Sequence, residues 1–408
     1  MLENFLSVLF TGAILTILCV AVAHAWACVY GHHTRQDETL FVSAPDGWRL
    51  AVHRYRPVGD RVGLPVILCH GLGGNRHSFD LAGAPSLAQF LKDTGRDVWV
   101  IELRGSGLSA RPGLLRSDVP LSWGFDDHLD KDTPAAIDFV CARTGAPAIH
   151  WIGHSMGGML GLCHVANTPD SRIRSLVTLG SPVDFRKIPR RVFGVLLQLK
   201  WMMRIVPFAP MSLFARLSIP VLHYLPPYVQ GLLNPRNIEP NVARRIVAVG
   251  SPLTTSSRLW LDFGRFLETG VFSRVSGRPY LAELDGCRVP IFSISGAADL
   301  LAPPAACQDS DIPVGTRLVM GKVSGYQEDY GHMDLLLGSR ARIEVYPLLA
   351  EWLRRNDDLE AGDRQPVAAD SPAYGTGTGM PKGPGNGCCK GVRSGNCEAG
   401  DTQEGQGS

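Results

Sequence analysis

The 408-residue sequence predicts an α/β fold, a mostly parallel sheet with helices on both faces and a helical cap insertion. Three observations predict it. Short, continuous apolar runs recur along the chain, among them "LPVILC", "DVWVIE", "AIHWIG" and "VPIFSISG". Such runs suit parallel strands covered on both faces, whereas a strand with one wet face alternates. Between them lie segments whose apolar residues return at helical spacing, so strand and helix alternate. Finally, "WIGHSMGGM" at positions 151–159 places a serine between two glycines straight after an apolar run. Glycine inside regular structure costs about 1 kcal/mol, so the cluster marks a backbone geometry closed to other residues. A tight turn from strand into helix, with Ser155 at its apex, is such a geometry.

In chain order, "TLFVSAPDGWRLAVHRYRP" is two alternating runs joined at "PDG", a hairpin. "LPVILCHG" is the first buried strand, followed by helical spacing from Ser86 to Lys92 and the strand "DVWVIELRG". A helix reads from Phe125 to Arg143, then come the strands "IHWIG" and "IRSLVTLGSP". After a long interruption, "VPIFSISG" and "TRLVMGKVS" supply two more strands, and "IEVYPLLAEWLRR" a closing amphipathic helix. The fold is expected over residues 38–356.

The interruption, residues 184–285, is apolar, methionine- and aromatic-containing and studded with arginine and lysine. Its segments are too short and too often broken by proline to span a membrane. It is expected to cap the fold and shape an apolar pocket. Residues 1–33 contain the stretch from Phe5 to Gly31, with His24 its main ionisable side chain. About 20 apolar residues suffice to cross a bilayer, which predicts a single-pass N-terminal anchor. The rival is a secretory signal cleaved after "AHA" at 23–25, but "MLEN" lacks the positive charge of such a leader. Residues 357–408 are rich in glycine and proline with few large apolar residues, and are expected to be disordered.

A net charge of +2 gives no reason to expect nucleic acid as a partner, and zinc-finger, Walker A and dinucleotide-binding spacings are missing. Nor do the ten cysteines read as a disulfide framework. Cys69 lies in a strand and Cys163 on the helix after Ser155, both suited to core packing. Cys388, Cys389 and Cys397 sit among glycines and are expected to be exposed thiols, with metal binding or lipid attachment as the alternatives.

Gly153-His154-Ser155-Met156-Gly157 matches G-x-S-x-G, the nucleophile elbow. A serine hydroxyl is a weak nucleophile and needs a base to take its proton. It also needs donors for the oxyanion that forms, one being the N–H after the serine, here Met156. The glycine-rich loop "CHGLGGN" follows an earlier strand and offers the N–H of Leu72 as the second donor. In the chain order Ser, Asp, His, the partners are Asp299 in "GAADLLAPP" and His332 in "YGHMDLLLG". Both lie past the carboxyl ends of strands, where such sheets place their sites. His154 flanks the serine, but the elbow aims adjacent side chains elsewhere. His70 reads as a hydrogen-bonded structural histidine, and Asp334 lies too close in sequence to His332 to be its partner. Asp126, Asp127 and Asp132 read as solvated or capping.

From about Leu40 to Arg355 the chain resembles the α/β-hydrolases, particularly the acid-lipase-like branch. "CHGLGGN", "DVWVIELRGSGLS", "SWGFDDHLDKDTPAAIDFV", "GHSMGG", "GAADLLAPP" and "YGHMDLLLG" carry the resemblance in order and spacing. The insertion departs from the acid-lipase cap. "NPRNIEPNVARRI" through "FGRFLETG" to "DLLAPP" instead resembles polyhydroxyalkanoate synthases, which use cysteine where this chain has Ser155. The resemblance implies a triad of Ser155, Asp299 and His332, with Leu72 and Met156 as oxyanion donors. No cofactor or metal is implied.

The expected function is hydrolysis of carboxylic esters with an apolar acyl group, through an acyl-enzyme on Ser155. The expected partners are a small ester or lipid and a membrane reached through the N-terminal helix. The alternatives are an acyltransferase or a polyester synthase- or depolymerase-like enzyme, and a non-catalytic binding protein on the same fold.

Overall fold

A computed structural model describes residues 2–31, 33–111, 119–120, 122–189, 203, 208–209, 211–224, 232–250, 255–308 and 315–357. Outside these lie several parts of the expected cap and the tail from residue 358 with its three cysteines.

Eight strands form one sheet: β1 (Glu38–Ser43), β2 (Arg49–Tyr55), β3 (Val66–Cys69), β4 (Val98–Glu102), β5 (Ile149–His154), β6 (Ile173–Leu179), β7 (Ile291–Gly296) and β8 (Thr316–Met320). Their order is β1-β2-β4-β3-β5-β6-β7-β8. The hairpin β1–β2 is antiparallel, and β2 pairs antiparallel with β4. Every later pairing is parallel. The continuous apolar runs follow from this arrangement: all residues of β3, β4 and β5 are buried.

Helices cover both faces. On one lie α2 (Leu87–Asp93) and the closing helix (Tyr346–Arg355). The side chain of Ser86 caps α2 by accepting from the Gln89 N–H at 3.2 Å, so the predicted start is the true one. The other face carries α3 (Thr133–Thr144) and α4 (Met156–Asn167). A helical turn, Phe125–Asp127, and a π turn, His128–Asp132, lead into α3.

That π turn corrects one expectation. Asp132 is neither solvated nor capping: it is fully buried and accepts from Arg104 Nη2 at 2.6 Å and from His128 Nδ1 at 2.8 Å. A buried carboxylate needs such partners. Asp126 accepts from the Tyr280 hydroxyl at 2.7 Å, and Asp127 caps Gly124 N at 2.8 Å.

The described parts of the cap include α5 (Met211–Ser218), α6 (Pro240–Val249) and α7 (Ser257–Thr269). Phe263 and Phe266 of α7 interlock edge-to-face with Phe125, which seats the cap on the sheet's core. The first helix, α1 (Leu2–Tyr30), is long and apolar enough to cross a membrane. It packs against α5 and α6 of the cap. Asp357, placed by composition at the start of the tail, is bound to Arg96, His150 and the N–H of Leu64.

Candidate active site

The elbow begins with β5, which passes through Gly153 and His154 into Ser155. Ser155 has φ 52° and ψ −119°, and among the described residues it alone has a positive φ without being glycine. Holding a serine there costs on the order of 1–3 kcal/mol, a strain that persists only where the surroundings enforce it. Its N–H donates to Leu179 O on β6 at 2.8 Å, and α4 starts at the next residue. The flanking glycines have a steric cause. A Cβ on Gly153 would lie 2.3 Å from Gly157 carbonyl atoms, and one on Gly157 would lie 2.2 Å from Cys69 O. The helix therefore crosses its own strand and β3 too closely for any side chain, which is why the serine is enclosed by glycines.

Asp299 and His332, separated by 33 positions, meet at the carboxyl ends of β7 and β8. His332 Nδ1 donates to Asp299 Oδ2 at 2.7 Å, and Asp299 is 1% exposed. The other carboxylate oxygen accepts the N–H groups of Leu301 at 2.9 Å and Ala302 at 2.8 Å. Held through both oxygens, the carboxylate can fix the imidazole in one orientation. The pair rests against Gly180 at the end of β6, where a Cβ would stand 3.1 Å from His332 Nδ1.

Ser155 and His332 line a single cavity of about 300 Å³. Leu72, Leu233, Ile246 and Phe263 contribute apolar walls from the glycine-rich loop and the cap. Met156, the other expected oxyanion donor, opens α4, whose N-terminus favours developing negative charge. Among the described residues, no group of three or more His, Cys, Asp or Glu is arranged to hold a metal ion.

His70 is structural, as expected. Its Nδ1 donates to Gly71 O at 2.9 Å and its Nε2 accepts the Leu103 N–H at 3.2 Å. Burial lowers its pKa to about 4, so it remains neutral.

Two residues near His332 have partners that sequence reasoning missed. His154 Nε2 donates to the carbonyl of His332 at 3.1 Å, and the two rings are 4.6 Å apart. Burial, reinforced by His332, pushes its pKa well down and keeps it neutral. Asp334 is fully buried and accepts the N–H groups of Gly331 at 2.9 Å and Asn234 at 3.1 Å. Burial raises its pKa to about 7. Met333 N also donates to Leu232 O at 2.9 Å, so a cap segment is tied directly to the histidine loop. The acidic residue two positions after the histidine was the available signal, but its partner Asn234 is 100 positions away.

A mostly parallel sheet of this order, with a serine elbow and an Asp–His pair at its carboxyl edge, defines the α/β-hydrolase class. The chain belongs to it: the alpha/beta hydrolase fold family matches residues 65–321. Its relatives include the gastric triacylglycerol lipase of Bos taurus, 27% identical over 75% of this chain and 85% of that one. A second is the lysosomal acid lipase/cholesteryl ester hydrolase of Macaca fascicularis, 31% identical over 44% of this chain and 49% of that one. Among solved structures, a soluble variant of monoglyceride lipase from Saccharomyces cerevisiae shares the fold at TM-score 0.53 and 15% identity, covering 81% and 99% of the two chains. A thermophilic esterase from Thermogutta terrifontis does so at 0.51 and 18%, covering 78% and 99%.

Proposed function

We propose that the protein is a serine hydrolase of carboxylic esters with an apolar acyl group. One observation carries the reading: Ser155, held in a backbone conformation that other side chains avoid, shares an apolar cavity with a histidine bonded to a buried aspartate. The similarity to triacylglycerol and cholesteryl ester lipases supports the same substrate class.

In this mechanism His332 takes the Ser155 proton as Oγ attacks the ester carbonyl. The N–H groups of Leu72 and Met156 hold the oxyanion. His332 passes the proton to the departing alkoxide, leaving an acyl-enzyme. Water then attacks, gives its proton to His332, and releases the acid as the proton returns to Ser155. Asp299 keeps the histidine's Nδ1 protonated and stabilises the imidazolium. Water as acceptor, rather than an alcohol or a growing chain, makes the enzyme a hydrolase. The domain assignment proposed with it is an anchor within residues 1–33, a hydrolase unit from 38 with its cap at 184–285, and a tail.

The test uses a fluorophosphonate probe and p-nitrophenyl esters. Wild-type protein should label at Ser155 and turn over butyrate; Ser155→Ala should do neither while keeping its circular dichroism spectrum. Wild-type protein that neither labels nor hydrolyses any ester would leave the non-catalytic reading standing.

A further inference from the structure

We propose that the cavity is filled from a lipid bilayer: α1, the cap and the cavity wall form one continuous face that docks on an anionic membrane. The substrate is then a membrane-resident ester whose acyl chain enters from the lipid side. This rests on the ester-hydrolase reading of Ser155 and names where its substrate comes from.

The apolar helix is attached to the catalytic unit by more than its chain connection. Along α1, Phe10, Ile14, Leu15, Ile17, Leu18 and Val20 are exposed. That apolar face needs a covering of lipid. Ala23, by contrast, is 4% exposed, on a helix that packs against α5 and α6. Near the end of α1, Trp26 and Tyr30 stack at 5.8 Å, an aromatic pair of the kind that settles at the headgroup level.

One element links this helix to the site. While α6 packs on α1, it also gives Ile246 and Val247 to the cavity. The width of a single helix, about 10 Å, thus separates the anchor from the acyl pocket. At its far end the carbonyl of Val249 accepts from Asn75 Nδ2 at 2.8 Å, which ties α6 to the glycine-rich loop carrying Leu72. A tether would leave the pocket's distance from the membrane free; this packing sets it.

Charge selects the surface. Residues 184–285 carry fourteen arginines and lysines against six carboxylates, although the whole chain is close to neutral. The two cap helices packed on α1 carry Arg216, Arg244 and Arg245 and no carboxylate. Basic residues beside an apolar helix are drawn to anionic headgroups and released by salt. A second copy of the chain would cover the apolar helix equally well but gives no reason for the basic excess.

The experiment uses full-length protein reconstituted in vesicles of phosphatidylcholine alone or mixed with phosphatidylglycerol. Turnover of bilayer-embedded 4-methylumbelliferyl oleate is compared with that of soluble p-nitrophenyl butyrate. Ala23→Phe keeps α1 apolar but forces it off the cap. It should lower oleate turnover about tenfold, through the loss of effective concentration, and leave butyrate turnover and fluorophosphonate labelling unchanged. Wild-type protein should hydrolyse the oleate ester several-fold faster with phosphatidylglycerol present, and high salt should remove that gain. The proposal is overturned if Ala23→Phe affects both esters equally or neither, if phosphatidylglycerol has no effect, or if cross-linking pairs α1 with α1 of another copy. Failure of the wild-type protein on both esters would instead remove the hydrolase reading and this proposal with it.

Discussion

Two histidine–aspartate pairs stand at opposite edges of the sheet, and the contrast between them separates chemistry from cohesion. At the carboxyl edge His332 donates to Asp299 at 2.7 Å beside the cavity and the serine elbow. At the opposite edge His150, near the start of β5, bonds Asp357 through Nε2 at 3.1 Å and Ser175 Oγ through Nδ1 at 2.8 Å. Both ring nitrogens of His150 are thereby used. Asp357 also takes two bonds from Arg96, at 2.7 and 2.6 Å, and one from Leu64 N at 3.0 Å. Burial alone would raise its pKa, but the bonds from His150 and Arg96 outweigh burial and hold it well below the ordinary carboxylate range. The same two residue types thus make a closed clasp at one edge and a site opening onto a cavity at the other. The difference lies in the neighbours: a matching arginine and a second acceptor on one side, a strained serine and an apolar hollow on the other.

The sharpest way to break this comparison is to remove one charge from each edge. Asp299→Asn should lose on the order of 10⁴ in kcat, since an amide cannot keep the histidine in the required tautomer. Its melting temperature should change little beside that loss. Asp357→Asn should do the reverse. It leaves Arg96, 3% exposed, without its countercharge, a loss of about 3 kcal/mol in stability, with kcat on p-nitrophenyl butyrate unchanged. Denaturant unfolding and steady-state kinetics on the same two variants decide it. Near-normal turnover by Asp299→Asn, or lost turnover by Asp357→Asn at a temperature where it stays folded, would reverse the assignment of roles.

How much of this could be read from residues alone depends on whether the cause was local. The elbow was legible because Gly153 answers to a clash with Gly157, four positions on, and the inner strands β3, β4 and β5 announced themselves by burial on both faces. Asp299 and His332 were legible through chain order and their places after strands. Asp132, Asp334 and Asp357 were not. Each carboxylate is explained by a partner that folding brings from a distant segment, respectively Arg104, Asn234 and Arg96. Asp357 lies 293 positions from Leu64, to which it is bonded. It also stands at the start of a segment whose composition reads as a tail, so composition gave no sign of its partners. The packing of α1 on the cap was equally invisible, since hydropathy reports that a helix seeks an apolar environment and not which one.

Acid should sharpen the same comparison by loosening the whole fold before it disturbs the Asp357 carboxylate. His70, His77 and His164 are at most 8% exposed, and each has its pKa lowered by burial to about 4. In the unfolded chain they titrate near 6.5. A group that binds its proton more weakly when folded contributes its full stability above the unfolded pKa and loses it on the way down. Stability should therefore be flat above about pH 7 and fall between pH 6.5 and 4, with each of the three adding about 1.4 kcal/mol per pH unit to the slope. His150 and His154, also lowered by burial, add to the same fall. Asp334, raised by burial to about 7, binds its proton more tightly when folded and offsets about one histidine's share of it. The Asp357 carboxylate, with its depressed pKa, weakens only below about pH 3.9, where the unfolded chain begins to take up its proton. His164→Gln removes one titrating group away from both pairs and should reduce the slope by about 1.4 kcal/mol per pH unit in that window. Urea unfolding of the wild type and this variant at a series of pH values measures it. Equal slopes for the two proteins would mean that His164 takes up its proton without loss of the fold.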